Sequence, residues 1–303
     1  MTKAPSPLIE IASRENSVKS DASPFAPKAG WWPLRRRAQD RPRFLWVVAG
    51  LVALFLSAPV LLVIVYSLSS KDQVGSFGHP SLRWYRTLIS DSNLLASLRT
   101  SLEIALITTV IATVLGTLLA IGLARGNSKM AYPIQGILLL TLITPEVATG
   151  MALFLFFFSI HMTLSNTTVI LGHVTFSIVF VVVIVRTRFV SIPRNIEEAS
   201  LDLGASEVKT LGLVILPQLW PAIVGSALLV FVFSFDDFVT SFFTSGVGTS
   251  PLPVYIYSML KFGISPEINA IGTLMLLASI FLGLIAVTLM RVRQSNASRA
   301  LPF

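Results

Sequence analysis

Apolar residues arrive in this chain as long unbroken runs. They show neither the alternation of a half-buried strand nor the narrow stripe of a surface helix. Runs of spanning length occupy about residues 44–66, 101–123, 132–160, 168–185, 221–243 and 270–290. A helix crossing bilayer hydrocarbon takes ~20 mostly apolar residues, so each run is predicted to cross once. Closed barrels are the other structure that can span, but they read as ten-residue segments of alternating hydrophobicity. Ile104–Leu123 is continuous instead. The predicted fold class is an all-α membrane protein with six transmembrane helices, which puts both termini on the same side.

Composition agrees with lipid as the solvent. Of 303 residues, 53% are hydrophobic and 13% charged, against ~25% charged in a soluble domain. Cysteine is absent, which excludes disulfides and thiolate metal sites. The net charge of +8 raises the question of nucleic acid, and the distribution of the charge answers it. Nine Lys/Arg precede the first span, densest from Arg35 to Arg43. Placing them inside also places inside Arg125, Lys129, Arg186, Arg188, Arg194, Lys209, Arg291, Arg293 and Arg299. Only Lys71, Arg83, Arg86, Arg99 and Lys261 are left outside. Eighteen inside against five outside follows the positive-inside rule, with cytoplasmic N and C termini. The basic residues flank spans and form no separate basic domain, so no nucleic-acid partner is expected.

The predicted organisation has three parts. Residues 1–43, of which 1–30 are rich in Ser, Pro, Ala and Lys, are expected to form a disordered cytoplasmic tail. They lack the apolar core and cleavage site of a secretory signal. Trp31 and Trp32 either rest at the headgroups or are ordinary tail residues. Residues 44–290 form a transmembrane domain, and 291–303 a cytoplasmic C-terminal tail. Between the first two spans, Ser81–Arg99 mixes apolar and polar residues at helical spacing. It is expected to lie on the outer leaflet as a short helix, either as a docking surface or as a structural lid.

The one long internal loop, 186–220, is the most informative segment. Pro193 suits a first helical turn, and Asn195 with Glu198 makes a capping-box pattern. Gly204 is a natural helix stop. Ser206 can cap a second short helix, expected to yield near Pro217. Two short helices joined by a glycine bend would project compactly into the cytosol.

This segment resembles the EAA loop of ABC importer permeases. The pattern there is Glu-Ala-Ala, three residues, Gly, nine residues, Ile-x-Leu-Pro. The matching residues are Glu198-Ala199-Ser200, Gly204 and Val214-x-Leu216-Pro217, with Ser for the second Ala and Val for Ile. The resemblance implies a type I ABC importer permease (MetI-like) fold. It also implies that Glu198, Ala199, Gly204, Ala205, Ser206, Leu216 and Pro217 couple the spans to an ATPase subunit. In that family the short helix after the glycine sits in a groove of the ATPase. No G-x-x-x-x-G-K-[ST] phosphate loop occurs, nor any Gly-Lys dipeptide. The chain is therefore not expected to be an enzyme or to bind a cofactor; ATP and Mg belong on partner ATPase subunits. His79, His161 and His173 are scattered along the sequence, and no metal site is expected.

Ionisable groups inside spans carry the substrate clue, since each costs ~3 kcal/mol at a helix centre on insertion scales. Glu146 stands midway along the third run, after Pro145, and Asp236 and Asp237 in the fifth. Pro145 is expected to free backbone groups and bend the span around a cavity. Carboxylates facing that cavity favour a cationic solute; alternatively they bond a partner permease or freed backbone. Phe235 and Phe238 could contact a methylene chain or stack on cations. Adjacent helical residues diverge by about 100°. Only one of Asp236 and Asp237 is then expected to face a narrow path, with Asp237 slightly favoured.

Around these residues the resemblance narrows to the PotC-like permeases of spermidine/putrescine importers. It rests on Phe233-Ser-Phe-Asp-Asp-Phe238, on Leu252–Ala270 and on Thr144-Pro-Glu146, and covers about 44–290. It implies a bacterial inner or plasma membrane location and a polyamine path. It also implies a second permease as a heterodimer partner, two ATPase subunits and an extracytoplasmic substrate-binding protein. An importer of another small solute shares much of this pattern. A secondary transporter would leave the EAA-like loop unexplained and usually shows internal repeats, and none is evident. An intramembrane enzyme would need a nucleophile–base or metal constellation, which the sequence lacks.

The charge asymmetry makes the topology testable. Reporter fusions after Arg125, Arg194 and Arg293 are expected to report cytoplasm, and fusions near Ser70, Ser165 and Gly248 the outside. A cytoplasmic signal at Gly248 would break the six-span arrangement.

Overall fold

A computed structural model describes residues 43–71, 76–126, 128–262 and 266–299. The expectations for the N-terminal tail, with Trp31 and Trp32, and for residues 300–303 lie outside the described residues. The chain divides into two compact units, Met1–Leu56 and Ser57–Phe303. The described part of the first is the opening of helix α1 (Arg43–Ser67), where every residue from Phe44 onward is exposed. Such a surface suits hydrocarbon and not water.

The described residues of the second unit are mostly helical. After α1 come α2 (Arg83–Ser90), α3 (Ser92–Arg125), α4 (Ser128–Ile143), α5 (Glu146–Ser159) and α6 (Asn166–Val190). These are followed by α7 (Arg194–Asp202), α8 (Glu207–Thr210), a π-helical turn (Leu211–Ile215) and α9 (Leu216–Asp236). Last come α10 (Val239–Thr244), α11 (Leu252–Phe262) and α12 (Glu267–Arg299). Among the described residues, five helices are long and apolar enough to cross a membrane, or six if the bent pair α4 and α5 counts as one span.

The frame is the packing of α3 on α6, with α9 laid against both. Ala112 and Ala120 of α3, Val181, Val182 and Val185 of α6, and Leu219 and Val230 of α9 are buried in one cluster. Gly116 sets the closest approach. A Cβ there would lie 2.6 Å from Val181 Cβ and 3.2 Å from the Ile178 carbonyl oxygen. Small residues at such crossings let helix backbones meet where hydrocarbon supplies no hydrophobic drive.

At the N-terminal end of α3 a second cluster gathers Trp84, Leu88 and Leu94 with Phe235, Leu252 and Ile271. The Trp84 indole donates to the Ser69 carbonyl at 2.7 Å, and the Tyr255 hydroxyl donates to Asp91 Oδ2 at 3.0 Å. The surface helix expected over Ser81–Arg99 is therefore shorter. It ends at Ser90, and Asp91 caps a new helix by accepting from the Asn93 and Leu94 amides. Residues 92–99 form the opening turns of the long α3.

Two predicted spans are broken. The third run was expected as one bent helix over 132–160, but α4 stops at Ile143 and α5 leaves it at 111°. Pro145 disfavours the α conformation at Thr144 and has no N–H to donate. Its own backbone is extended, at ψ 134°. The fifth run was expected to continue to 243. It ends at Asp236, Asp237 is extended (ψ 113°), and the short α10 follows.

Conversely, Pro217 does not stop a helix. From Glu207 to Asp236 the chain passes as one 30-residue helix, because the π-helical turn Leu211–Ile215 absorbs the missing donor just before the proline. The Gln218 side chain satisfies the Val214 carbonyl at 3.0 Å.

Gly116→Leu is expected to force α3 and α6 apart and destabilise the fold by about 1–3 kcal/mol, as overpacking does. A lowered melting temperature of the detergent-solubilised protein is the measurement; an unchanged one would place the helix crossing elsewhere.

Candidate functional site

The two helix breaks meet. Between them lies a cavity of ≈ 520 Å³ lined by Thr141, Thr144, Glu146 and Thr149 from the first break and Phe233, Asp236, Asp237, Phe238 and Thr240 from the second. Phe176 and Phe180 of α6 form a third wall, and Phe180 meets Phe233 edge to face with centroids 5.0 Å apart. Carboxylates and aromatic faces thus share one chamber.

Both aspartates face it, contrary to the expectation that only one would. That expectation assumed a continuous helix; the break at Asp236 removes the 100° divergence. Asp236 is exposed and accepts from the Ser279 hydroxyl of α12 at 3.0 Å. Asp237 is buried, with only 7% of its surface open. Glu146, in the first turn of α5, is exposed and lines the cavity together with Asp237. The open N-terminus of a helix favours an acidic residue there.

Phe238 lines the cavity as expected and contacts Tyr257 at 4.9 Å between centroids. Phe235 does not. Its side chain turns into the buried cluster with Trp84 and Leu252, 6% exposed. Phe176, Phe180 and Phe233 supply the other aromatic walls, and sequence reading did not single them out. It also missed His173, which is 1% exposed and lies 2.8 Å (Nε2) from Asp237 Oδ2. Two hydroxyls complete the surroundings of the imidazole, Ser234 at 2.7 Å from Nδ1 and Ser241 at 3.0 Å from Nε2. The available signal is an ionisable residue in the middle of an apolar run, the same signal that Glu146 carries. Among the described residues no three His, Asp or Glu side chains are placed to hold a metal ion.

The second candidate region is the loop 186–220. Helix α7 begins at Arg194 with Pro193 as its N-cap and no side-chain cap, so the expected Asn195–Glu198 capping box does not form. Proline sits one place earlier than expected and moves Asn195 inside the helix. The glycine bend forms as expected. Gly204 has φ +84°, its N–H donates to the Leu201 carbonyl at 2.8 Å, and the Ala205 N–H donates to that of Ser200 at 3.2 Å. This pair of bonds closes a helix C-terminus through a left-handed residue. Ser206 caps α8 through the Lys209 amide.

Ser200, the departure from Glu-Ala-Ala, has a local use. Its hydroxyl meets that of the buried Thr210 at 2.9 Å and ties α7 to α8. Glu197, the neighbour of Glu198, pairs with Arg125 at the end of α3. Leu203, Val208 and Leu213 stand 90%, 80% and 77% exposed, apolar side chains left uncovered among the described residues. Leu216 and Pro217 are exposed beside them.

The chain matches the family described as "Binding-protein-dependent transport system inner membrane component" over residues 112–297. It belongs to that family. The permease is 36% identical over 247 residues to the putrescine transport system permease protein PotI of Escherichia coli K12, covering 78% of this chain and 86% of that one. It is 34% identical over 257 residues to the spermidine/putrescine transport system permease protein PotC of Haemophilus influenzae, covering 84% and 97%. Its fold is shared with a bacterial alginate ABC transporter, solved in complex with alginate pentasaccharide-bound periplasmic protein. The TM-score is 0.61 at 14% identity, over 86% of this chain and 95% of that one. The permease is thus a multi-pass inner-membrane component of an ABC importer, and ATP hydrolysis belongs to partner subunits.

Proposed function

We propose that the permease forms the path for a polyamine such as putrescine or spermidine. The observation that carries this reading is the chamber at the two helix breaks. Three carboxylates and four phenylalanines face one space, the pairing that a flexible chain of methylenes ending in ammonium groups needs. The names of the relatives supply the same substrate class. Carboxylates there replace part of the hydration an ammonium loses, and cavity exposure at Glu146 and Asp236 keeps the hold weak enough for release.

On this reading a second, similar permease completes the path, and an extracytoplasmic binding protein delivers the solute. Two ATPase subunits carry ATP and Mg, and this chain binds no cofactor. Both termini lie in the cytoplasm, as the basic residues beside the spans support. The bare apolar face of Leu203, Val208 and Leu213 beside the Gly204 bend seats on an ATPase subunit, and Glu198, Ala199, Ala205, Ser206, Leu216 and Pro217 surround that contact.

Two measurements test the two halves. Glu146→Gln and Asp237→Asn are each expected to lower putrescine or spermidine uptake at least severalfold in assembled complexes; wild-type rates in both variants would remove the cation site. Gly204→Asp is expected to abolish uptake while the protein remains in the membrane. Nothing stands within 4 Å of a Cβ at 204, so the damage would come from φ +84° in a residue with a Cβ and from charge on the docking face. A cysteine at Ala205 or Ser206 is expected to cross-link to the ATPase subunit, and normal uptake by the Asp variant would end the coupling role.

A further inference from the structure

The surroundings of Asp237 hold more than a path for cations requires. Its Oδ1 accepts from the Thr240 amide at 3.4 Å and its Oδ2 from the Ser241 amide at 3.3 Å, both long bonds from the first turn of α10. The short contact is with the His173 imidazole at 2.8 Å. A carboxylate beside Nε2 puts the ring proton on that nitrogen, and Nδ1 is then free to accept from the Ser234 hydroxyl. Ser241 lies within reach of the same Nε2. The ring is held at both nitrogens by residues on either side of the α9–α10 break. Such a clamp fixes a ligand's orientation in the way an outer partner fixes a catalytic or metal-binding side chain.

The alternative is a satisfied core histidine whose partners happen to include an acid. Two observations weigh against it. Thr108, Thr117 and Ser177, buried in the same helix frame, lack hydrogen-bond partners among the described residues, so the frame does not satisfy every polar group it buries. And the acid that His173 holds is the one cavity carboxylate that is buried, while Glu146 and Asp236 stand open. The ionisable groups facing Asp237 are Glu146 from α5, His173 from α6 and the adjoining Asp236 from α9; α10 brings none.

We infer that His173, clamped by Ser234 and Ser241, is a positioning residue that aims the Asp237 carboxylate at the cation path. It acts through Asp237 and does not line the cavity itself. The inference rests on the polyamine reading for its transport readout and stands apart from it for its chemical one.

The test uses side-chain reach. A Gln amide nitrogen overlays imidazole Nε2 and can still donate to Asp237, whereas an Asn amide overlays Nδ1 and reaches only Ser234. In proteoliposomes holding the full complex, with labelled putrescine uptake divided by assembled complex, His173→Gln is expected to keep uptake within about threefold of wild type, since roughly 0.6 kcal/mol separates such rates. His173→Asn is expected to lose at least tenfold. In an Asp237→Asn background, Gln and Asn at 173 are expected to be equal, because the group they position is gone.

Carbodiimide labelling of Asp237, followed by peptide mass, is the reading that needs no transport. Asp237 should label at least threefold faster in His173→Asn than in wild type or His173→Gln. If Asn blocks assembly, His173→Met, which fills the space and cannot donate, replaces it in every arm. Equal uptake and equal labelling for Gln and Asn overturn the inference, as does an Asn defect of the same size with Asp237→Asn present. A wild-type complex that ignores putrescine ends the polyamine reading, and the labelling contrast still decides the role of His173.

Discussion

Hydrocarbon offers no partner to a backbone N–H or C=O, so a chain inside a bilayer may leave the helix only where protein or a water-filled space meets the freed groups. Everything distinctive here follows from that constraint. The two departures from helix within spans, at Thr144–Pro145 and at Asp237–Phe238, face each other across one cavity. Neither break is left bare. The Thr144 amide and hydroxyl both donate to the Leu140 carbonyl, and Asp237 receives the amides that open α10. The chamber is where this fold is permitted to be irregular, and there it collects its acids.

Charge in the chamber is graded. Asp236 and Glu146 keep access to the cavity, and Asp237 gives it up. A carboxylate at a helix centre costs ~3 kcal/mol on insertion scales, and a hydrogen bond to a charged group contributes about 1.5–3 kcal/mol. Partners on three sides of Asp237 are of the right order to offset its burial. The packing frame of α3, α6 and α9 makes this arrangement rigid, because His173 is carried by α6 and Ser234 by α9.

Helical type and the number of apolar runs were legible in the sequence because lipid imposes runs longer than any soluble core needs. The Gly204 bend was legible too, since a left-handed helix end leaves a glycine signature and Ser206 announced the next cap. Legibility failed where two rules competed. Pro145 and Pro217 carry the same local signal, yet one ends a helix at 111° and the other sits inside a continuous one. The difference lies in the π-helical turn before Pro217, which no residue type announces. Phe235 and Phe233 flank one serine and face opposite ways, since facing depends on which helix lies alongside. The pairing of His173 was not legible because its partners lie 61 to 68 residues away in sequence, and spacing within one segment cannot show them.

The helix that carries Asp236 at one end begins at Glu207 in the EAA-like loop, with no interruption over 30 residues. At 1.5 Å per residue it is a rod of about 45 Å. A tilt of only ~10° about one end swings the other by roughly 8 Å over such a length, more than the width of a bare ammonium group. Leverage of this kind asks little of the loop. On the proposed coupling, a small rocking of α8 would be carried to the chamber wall at α9, and the stiffness of a single helix would set how faithfully it arrives.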